Sequence, residues 1–258
     1  MRYCLELYRH RQGISRENDI DPEGFSKMDS NTLLFIMCFA AAVIVPYLIS
    51  GINSAIIVTK IKSGKDIRDL GSGNAGLTNT LRTQGKVAAL FVLIGDILKG
   101  VLSVLLVHLL FRYVLGIDTY SHVEGWSWVN YLSGIFCVLG HVFPLYYGFK
   151  GGKGILVTFA AMLAINWVVG VAPFVIFVIV VAISRYVSLG SIIAAACYPF
   201  GVLAFSMLQN DSAVWICFGL SAIIGIMLIV MHRENIRRLL AHNEKKLGQK
   251  AAERESEK

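Results

Sequence analysis

Charge is what this sequence lacks most. Only 16% of its 258 residues are Asp, Glu, Lys or Arg, against 55% hydrophobic residues, and the mean hydropathy is +0.63. Five long apolar runs carry no charged residue: Leu33 to Val58, Trp126 to Tyr147, Gly154 to Ser184, Tyr186 to Asn210 and Ser212 to Met231. A sixth, Val87 to Phe111, carries a few. This balance excludes an ordinary soluble domain, and each run can cross a hydrocarbon core of about 30 Å. Cysteine chemistry is absent as well. Cys38, Cys137, Cys197 and Cys217 lie inside apolar runs and none forms a Cys-x-x-Cys pair, so neither a disulfide framework nor a metal site is suggested. The N-terminal stretch has neither the short apolar core nor the small-residue cleavage site of a signal peptide.

What is present therefore reads as an all-α polytopic membrane bundle, because lipid leaves the backbone no partner but itself. Residues 32–246 form one membrane-embedded domain; residues 1–31 read as a flexible polar extension, with Met28 an alternative start, and 247–258 as a charged tail. The net charge of +7 is spent on orientation and not on nucleic acid. Lys60, Lys62, Lys65, Arg68, Arg82 and Lys86 crowd one connection, Lys150 and Lys153 another, and eight cations follow His232, while 112–125 holds only Arg112. The cation-rich segments are expected inside and the N-terminus outside. That arrangement needs an odd number of crossings. The 31-residue run Gly154 to Ser184 would reach about 46 Å as one helix, and Gly170 with Pro173 offers a break, giving seven.

Three polar elements punctuate the bundle. The first, "GSGNAGLTNTLRTQGK" from Gly71 to Lys86, contains no acid. Its glycines allow N–H groups to converge, Ser72, Asn74, Thr78 and Asn79 add side-chain donors, and Arg82 brings a fork suited to phosphate. Ordinary turns use the same residues. The second, "GHVFPLYYGFKGGKG", sets Lys153 among Gly151, Gly152 and Gly154 at the start of a helix, a phosphate-binding pattern without Walker A spacing. The third, "MHRENIRRLLAHNEKK", places His232, Arg233 and Asn235 at a membrane boundary, where a plain headgroup anchor is the alternative. Inside the run Val87 to Phe111, Asp96 and Lys99 share a helix face. They form either a self-neutralised pair or a lysine facing an anion. A lone His108 or His141 in a span reads as a packing residue.

Together with "GDILKG", "RYVSLGS" and "HRENIRRLL", these blocks resemble, in order, the bacterial acyl-phosphate:glycerol-3-phosphate acyltransferases. The resemblance runs from about Val45 to Lys246. It implies a seven-helix membrane enzyme of the bacterial cell membrane with a cytoplasmic active site, using acyl phosphate and sn-glycerol 3-phosphate amid membrane lipids, with no cofactor. It further implies His232, Asn235, Ser72 and Arg82 as catalytic residues. Asn74, Thr78, Asn79, Lys99, Gly151, Gly152, Lys153, Gly154, Thr158 and Arg185 would bind substrate. Departures from the family pattern fall at Ala75 and Leu77, at Ile155 to Val157, where Thr158 would replace a missing hydroxyl, and at His242 to Glu244.

No general base announces itself. There is no Gly-x-Ser-x-Gly elbow and no His followed five positions later by Asp, the arrangement of CoA-dependent acyltransferases. A substrate phosphate oxygen is the expected proton acceptor, with His232 the weaker candidate. An organic-anion transporter is the rival class, but the polar groups concentrate at one side and no internal repeat is evident. A non-enzymatic headgroup binder is a third.

Overall fold

The structure, a computed structural model, describes residues 30–247. The N-terminal extension and charged tail expected from sequence lie outside the described residues, except for Ser30, Asn31 and Leu247. Among the described residues all regular structure is helical: α1 (Ser30–Gly51), α2 (Ser54–Ser63), α3 (Leu77–Gln84), α4 (Lys86–Leu115), α5 (Trp128–Val142), α6 (Ile155–Ile165), α7 (Trp167–Ser184), α8 (Val187–Leu208), α9 (Val214–Met231) and α10 (Arg233–Leu240). The chain is a polytopic helical membrane protein. Six spans are long and apolar enough to cross a bilayer: α1 with α2, α4, α5 with the turn after it, α7, α8 and α9.

The helices run between two poles. At one, Arg68 Nη1 donates to the carbonyls of Tyr147 (2.9 Å) and Lys150 (3.2 Å), and Ser188 Oγ donates to Glu244 (2.7 Å). This basic pole gathers the loops 64–76 and 143–154, the α7–α8 corner and the C-terminal segment. At the far pole, His122 Nδ1 meets Asp211 (2.9 Å), Ser127 Oγ donates to Asp211 (2.8 Å), and the Tyr120 hydroxyl donates to Ala164 O (2.8 Å). Phe35, near the start of α1, packs its ring 5.8 Å from Trp126 at the same end.

The long apolar run does break, but at Asn166 and not at Gly170 or Pro173. Asn166 is extended (φ −159°, ψ 109°), and its side chain accepts from the N–H groups of Val168 and Val169, capping α7. Gly170 has another task. A Cβ there would stand 3.0 Å from the Leu163 backbone nitrogen, so glycine lets α7 fold back against α6. Pro173 sits inside α7. Small residues serve the other crossings likewise: a Cβ on Gly140 would lie 2.2 Å from Tyr47 O, and one on Gly100 2.7 Å from Val157 O.

One dimension positions the site. With 11 residues α6 is only about 16 Å long, yet its last turn reaches Tyr120 at the far pole. Its first turn is therefore recessed below the basic pole. The loop before it packs on His141, which meets Lys99, 13 residues or about 20 Å into α4. A cavity opens above that loop. Its apolar support is the cluster around Val138, Val157, Tyr198 and Ile224, from α5, α6, α8 and α9.

Candidate active site

The cavity has a volume of about 1220 Å³ and opens at the basic pole. Its upper wall is the first polar element. Asn79, 1% exposed, ties this loop: Oδ1 accepts from Ser72 N (2.9 Å), while Nδ2 donates to Leu70 O (2.9 Å) and Ile67 O (3.3 Å). Gly71 is obligatory beside it, with φ +60° and a hypothetical Cβ only 2.3 Å from Asn79 Oδ1. Asn79 thus lines the cavity but spends its amide on the fold. Ser72, Asn74, Thr78 and Arg82 also line it, and among the described residues their side chains make no hydrogen bond. The first turn of α3, without a side-chain cap, adds its N–H groups beside Thr78.

The glycine loop forms the floor. Its first two N–H groups are already engaged, Gly151 N with Val142 O (3.0 Å) and Gly152 N with His141 O (3.2 Å). This corrects the expectation that both present free donors to a phosphate. Their role here is close approach, since a Cβ would stand 2.0 Å from His141 O at Gly151 and 2.5 Å from Ala75 O at Gly152. Gly154 (φ +82°) turns into α6, whose first N–H groups carry no side-chain cap. Thr158, 1% exposed, lines the cavity with its hydroxyl unpartnered.

Lys153 extends from this floor to Asn235 Oδ1, joining the second element to the third. Burial, then Arg238 nearby, pulls the Lys153 ammonium below the usual lysine range, with Glu244 opposing. Asn235 Nδ2 donates to Glu244 (2.7 Å), which also accepts from Ser188 Oγ (2.7 Å) and Arg238 Nε (2.7 Å). Burial pushes the Glu244 carboxyl up, but the bonds from Arg238, Asn235 and Ser188 outweigh it and hold the group below its ordinary range. His232, 4% exposed at the α9–α10 junction, lies within hydrogen-bond distance (2.8 Å) of Leu228 O through Nδ1. A carbonyl only accepts, so Nδ1 carries a proton and, in the neutral ring, Nε2 is left as an acceptor. Burial lowers the imidazole pKa, and Lys153 adds to it, against the Leu228 bond and Glu244.

Gly151 and Gly152 lie behind the cavity lining, and two further expected substrate binders lie elsewhere. Lys99 is absent from the cavity lining and directs its ammonium to Ile52 O (3.0 Å), His141 Nδ1 (3.0 Å) and Asp96 (2.9 Å), the last an ion pair too bent for a well-formed hydrogen bond. Arg185 caps α7 in a left-handed conformation (φ 63°) and donates to Leu247 O (3.0 Å), pinning the C-terminal segment. Conversely, Asp96, His141, Ser188, Ser191 and Arg238 line the cavity without having been assigned to it. The signals were in the sequence: "RYVSLGS" sets two serines on one face at a helix start, and Arg238 follows Asn235 by three. Beyond the polar groups the cavity continues between Phe159, Met162, Phe174, Phe177 and Ala195.

Fold and site together define a helical membrane protein whose cavity offers anion-binding groups at one end and an apolar wall at the other. Residues 40–242 match the profile of the glycerol-3-phosphate acyltransferase family. A glycerol-3-phosphate acyltransferase of Trichormus variabilis is 42% identical over 221 residues, covering 84% of this chain and 95% of that one. That of Clostridioides difficile is 41% identical over 215 residues, covering 83% and 98%. Among solved structures, the crystal structure of PlsY, an integral membrane glycerol 3-phosphate acyltransferase, in its glycerol 3-phosphate form superposes with a TM-score of 0.66 at 32% identity, covering 81% of this chain and 96% of that one. Its lysophosphatidic acid form gives 0.64 at 30% identity, covering 81% and 95%. The chain belongs to the glycerol-3-phosphate acyltransferase family and is an integral membrane enzyme of that class.

Proposed function

We propose that this enzyme transfers the acyl group of an acyl phosphate to the 1-hydroxyl of sn-glycerol 3-phosphate, forming lysophosphatidic acid and releasing inorganic phosphate. One observation carries the reading: a single cavity joins Ser72 and Arg82, Lys153, and His232 with Asn235 to an apolar wall, enough for two phosphate groups and a chain. The donor is already activated. The protein has to hold two anions side by side, aim the hydroxyl and stabilise the departing phosphate. Arg82 and the α3 N-terminus take the acceptor's phosphate; Lys153, Gly154, Thr158 and the α6 N-terminus take the donor's. Phe159, Phe174 and Phe177 line the acyl chain. The chain crosses the bacterial cell membrane seven times, the short α6 included, with the N-terminus outside and the cavity open to the cytoplasm.

The hydroxyl proton goes to a phosphate oxygen of the substrate. A second reading, transfer to His232, is favoured by the Nδ1–H bond to Leu228, which leaves Nε2 ready to accept. Purified protein in detergent, given acyl phosphate and glycerol 3-phosphate, tests the whole proposal. Release of phosphate together with lysophosphatidic acid is expected. Turnover of acyl-CoA but not acyl phosphate would overturn the choice of donor.

A further inference from the structure

His141 lies outside the groups assigned above, and its place in an apolar run suggests packing. In the structure it is 3% exposed and lines the cavity at the end of α5. Its Nδ1 stands 3.0 Å from Lys99 Nζ. An ammonium donates and never accepts, so Nδ1 is the acceptor, the ring is neutral and its proton sits on Nε2. Lys99 is held to this arrangement by Ile52 O and by Asp96, itself 2% exposed. The Nε2 edge faces the glycine loop, where a Cβ on Gly152 would stand 2.4 Å from it. Among the described residues Nε2 makes no hydrogen bond. The Thr158 hydroxyl, one turn into α6 from the same loop, is buried without a partner. A buried donor without a partner is costly, so the Thr158 hydroxyl calls for an acceptor, and His141 Nε2, open to the same cavity, is placed to share it.

We infer that His141 Nε2–H and the Thr158 hydroxyl form a neutral donor pair that binds an anionic phosphate oxygen at the glycine loop, and that Lys99 is the positioning residue holding His141 in the required tautomer. Lys99 thereby acts on the substrate through His141 and not by contact. The opposite assignment at His232 gives the cavity one histidine that donates and one that accepts. A neutral donor suits the floor. It strengthens anion binding without setting another cation against Lys153. The inference rests on the acyltransferase reading only for which phosphate is bound.

The test uses full-length protein labelled with ¹⁵N-histidine in detergent micelles, the His141 resonances being assigned by their loss in His141→Gln. The Nε2–H tautomer is expected, together with a shift of Nε2 on adding inorganic phosphate or glycerol 3-phosphate, and in Lys99→Met the tautomer should become mixed. A response to glycerol 3-phosphate alone would place the acceptor on this pair; a response to inorganic phosphate as well would place the leaving group there. These readouts need no turnover, so they stand or fall separately from the acyl-transfer assay. In that assay His141→Leu and Lys99→Met should each lower kcat/KM roughly 10- to 100-fold, as for one lost buried hydrogen bond to an anion, and His141→Gln, which keeps an N–H near Nε2, should restore most of it. An Nδ1–H tautomer in the unmodified protein, an Nε2 signal indifferent to both phosphates, or a His141→Gln variant as impaired as His141→Leu would each overturn the inference. If His141→Leu does not fold, the wild-type spectra and His141→Gln still decide.

Discussion

Arg82 and Lys153 present different kinds of positive charge to one cavity. Arg82 is an exposed, unpartnered fork; Lys153 is a half-buried point charge bonded to Asn235. Arg82→Lys keeps charge and loses bidentate geometry, so the KM for glycerol 3-phosphate should rise about tenfold while that for acyl phosphate changes little. Lys153→Ala should raise the donor's KM and lower kcat, because leaving-group charge grows toward the transition state. Equal effects on both substrates would dissolve the assignment of one loop to each phosphate. His232 adds a pH dependence of determinate sign. Burial disfavours its imidazolium, so the neutral ring survives below the ordinary value of about 6.5. On the reading in which His232 takes the proton, activity should stay level on acidification to about that pH and fall only beneath it. His232→Ala measured at neutral pH should bind both substrates, and near-complete loss of turnover would assign the proton to histidine in place of the substrate. At this scale the sequence names donors but not which are spent. Ser72 and Arg82 were legible as cavity residues because nothing nearby competes for them, whereas Asn79, Gly151, Gly152 and Lys99 are consumed by partners 3 to 47 positions away, each with at least one 9 or more away.

Helices were legible from apolarity alone, since backbone satisfaction in lipid permits little else. The break in the long run was legible in existence but not in place. Gly170 and Pro173 carry the stronger local signals, yet one asparagine supplies both the extended backbone and the cap, and tertiary packing decides for it. Gly170 then belongs to the hairpin's contact face. Gly170→Val should force the helices apart, costing roughly 1–3 kcal/mol and lowering the melting temperature in detergent, whereas Gly219→Ala, with open space around its missing Cβ, should leave it unchanged. An unaltered melting temperature for Gly170→Val would show that α6 and α7 do not meet there. Because α6 sets the cavity floor, the valine variant should lose kcat beyond any loss of folded protein. The short reach of α6 was not readable beforehand. It follows from where Asn166 cuts the run.

For the whole molecule, cation placement and helix packing are independent arguments that agree. Lys and Arg asymmetry puts the connections around Lys60–Lys86, Lys150–Lys153 and His232 on one side of the membrane, and the structure collects those same segments at one pole through Arg68, Lys153 and Glu244. Asp118, Tyr120, His122 and Asp211 gather at the other. Six helices are long and apolar enough to cross; the proposed seventh crossing by the short α6 would put Ser30 and Leu247 on opposite sides. Impermeant thiol labelling tests the orientation directly. In a cysteine-free background, a single cysteine at Val123, which is 84% exposed, should be labelled from outside intact cells, and one at Ile61, 81% exposed, only after the membrane is opened. Thr119 and Asp211 would be poor reporters despite their position, being 0% and 5% exposed. Labelling of Ile61 and protection of Val123 would invert the molecule and move the cavity out of the cytoplasm. Labelling of both from outside would mean that an even number of crossings separates them, so that α4 could not be a span. With Val123 alone labelled, a third cysteine at Lys245 should behave like Ile61; if it is labelled from outside, the five legs from α5 to α9 do not all cross, and α6 becomes a re-entrant helix that enters and leaves by the same face.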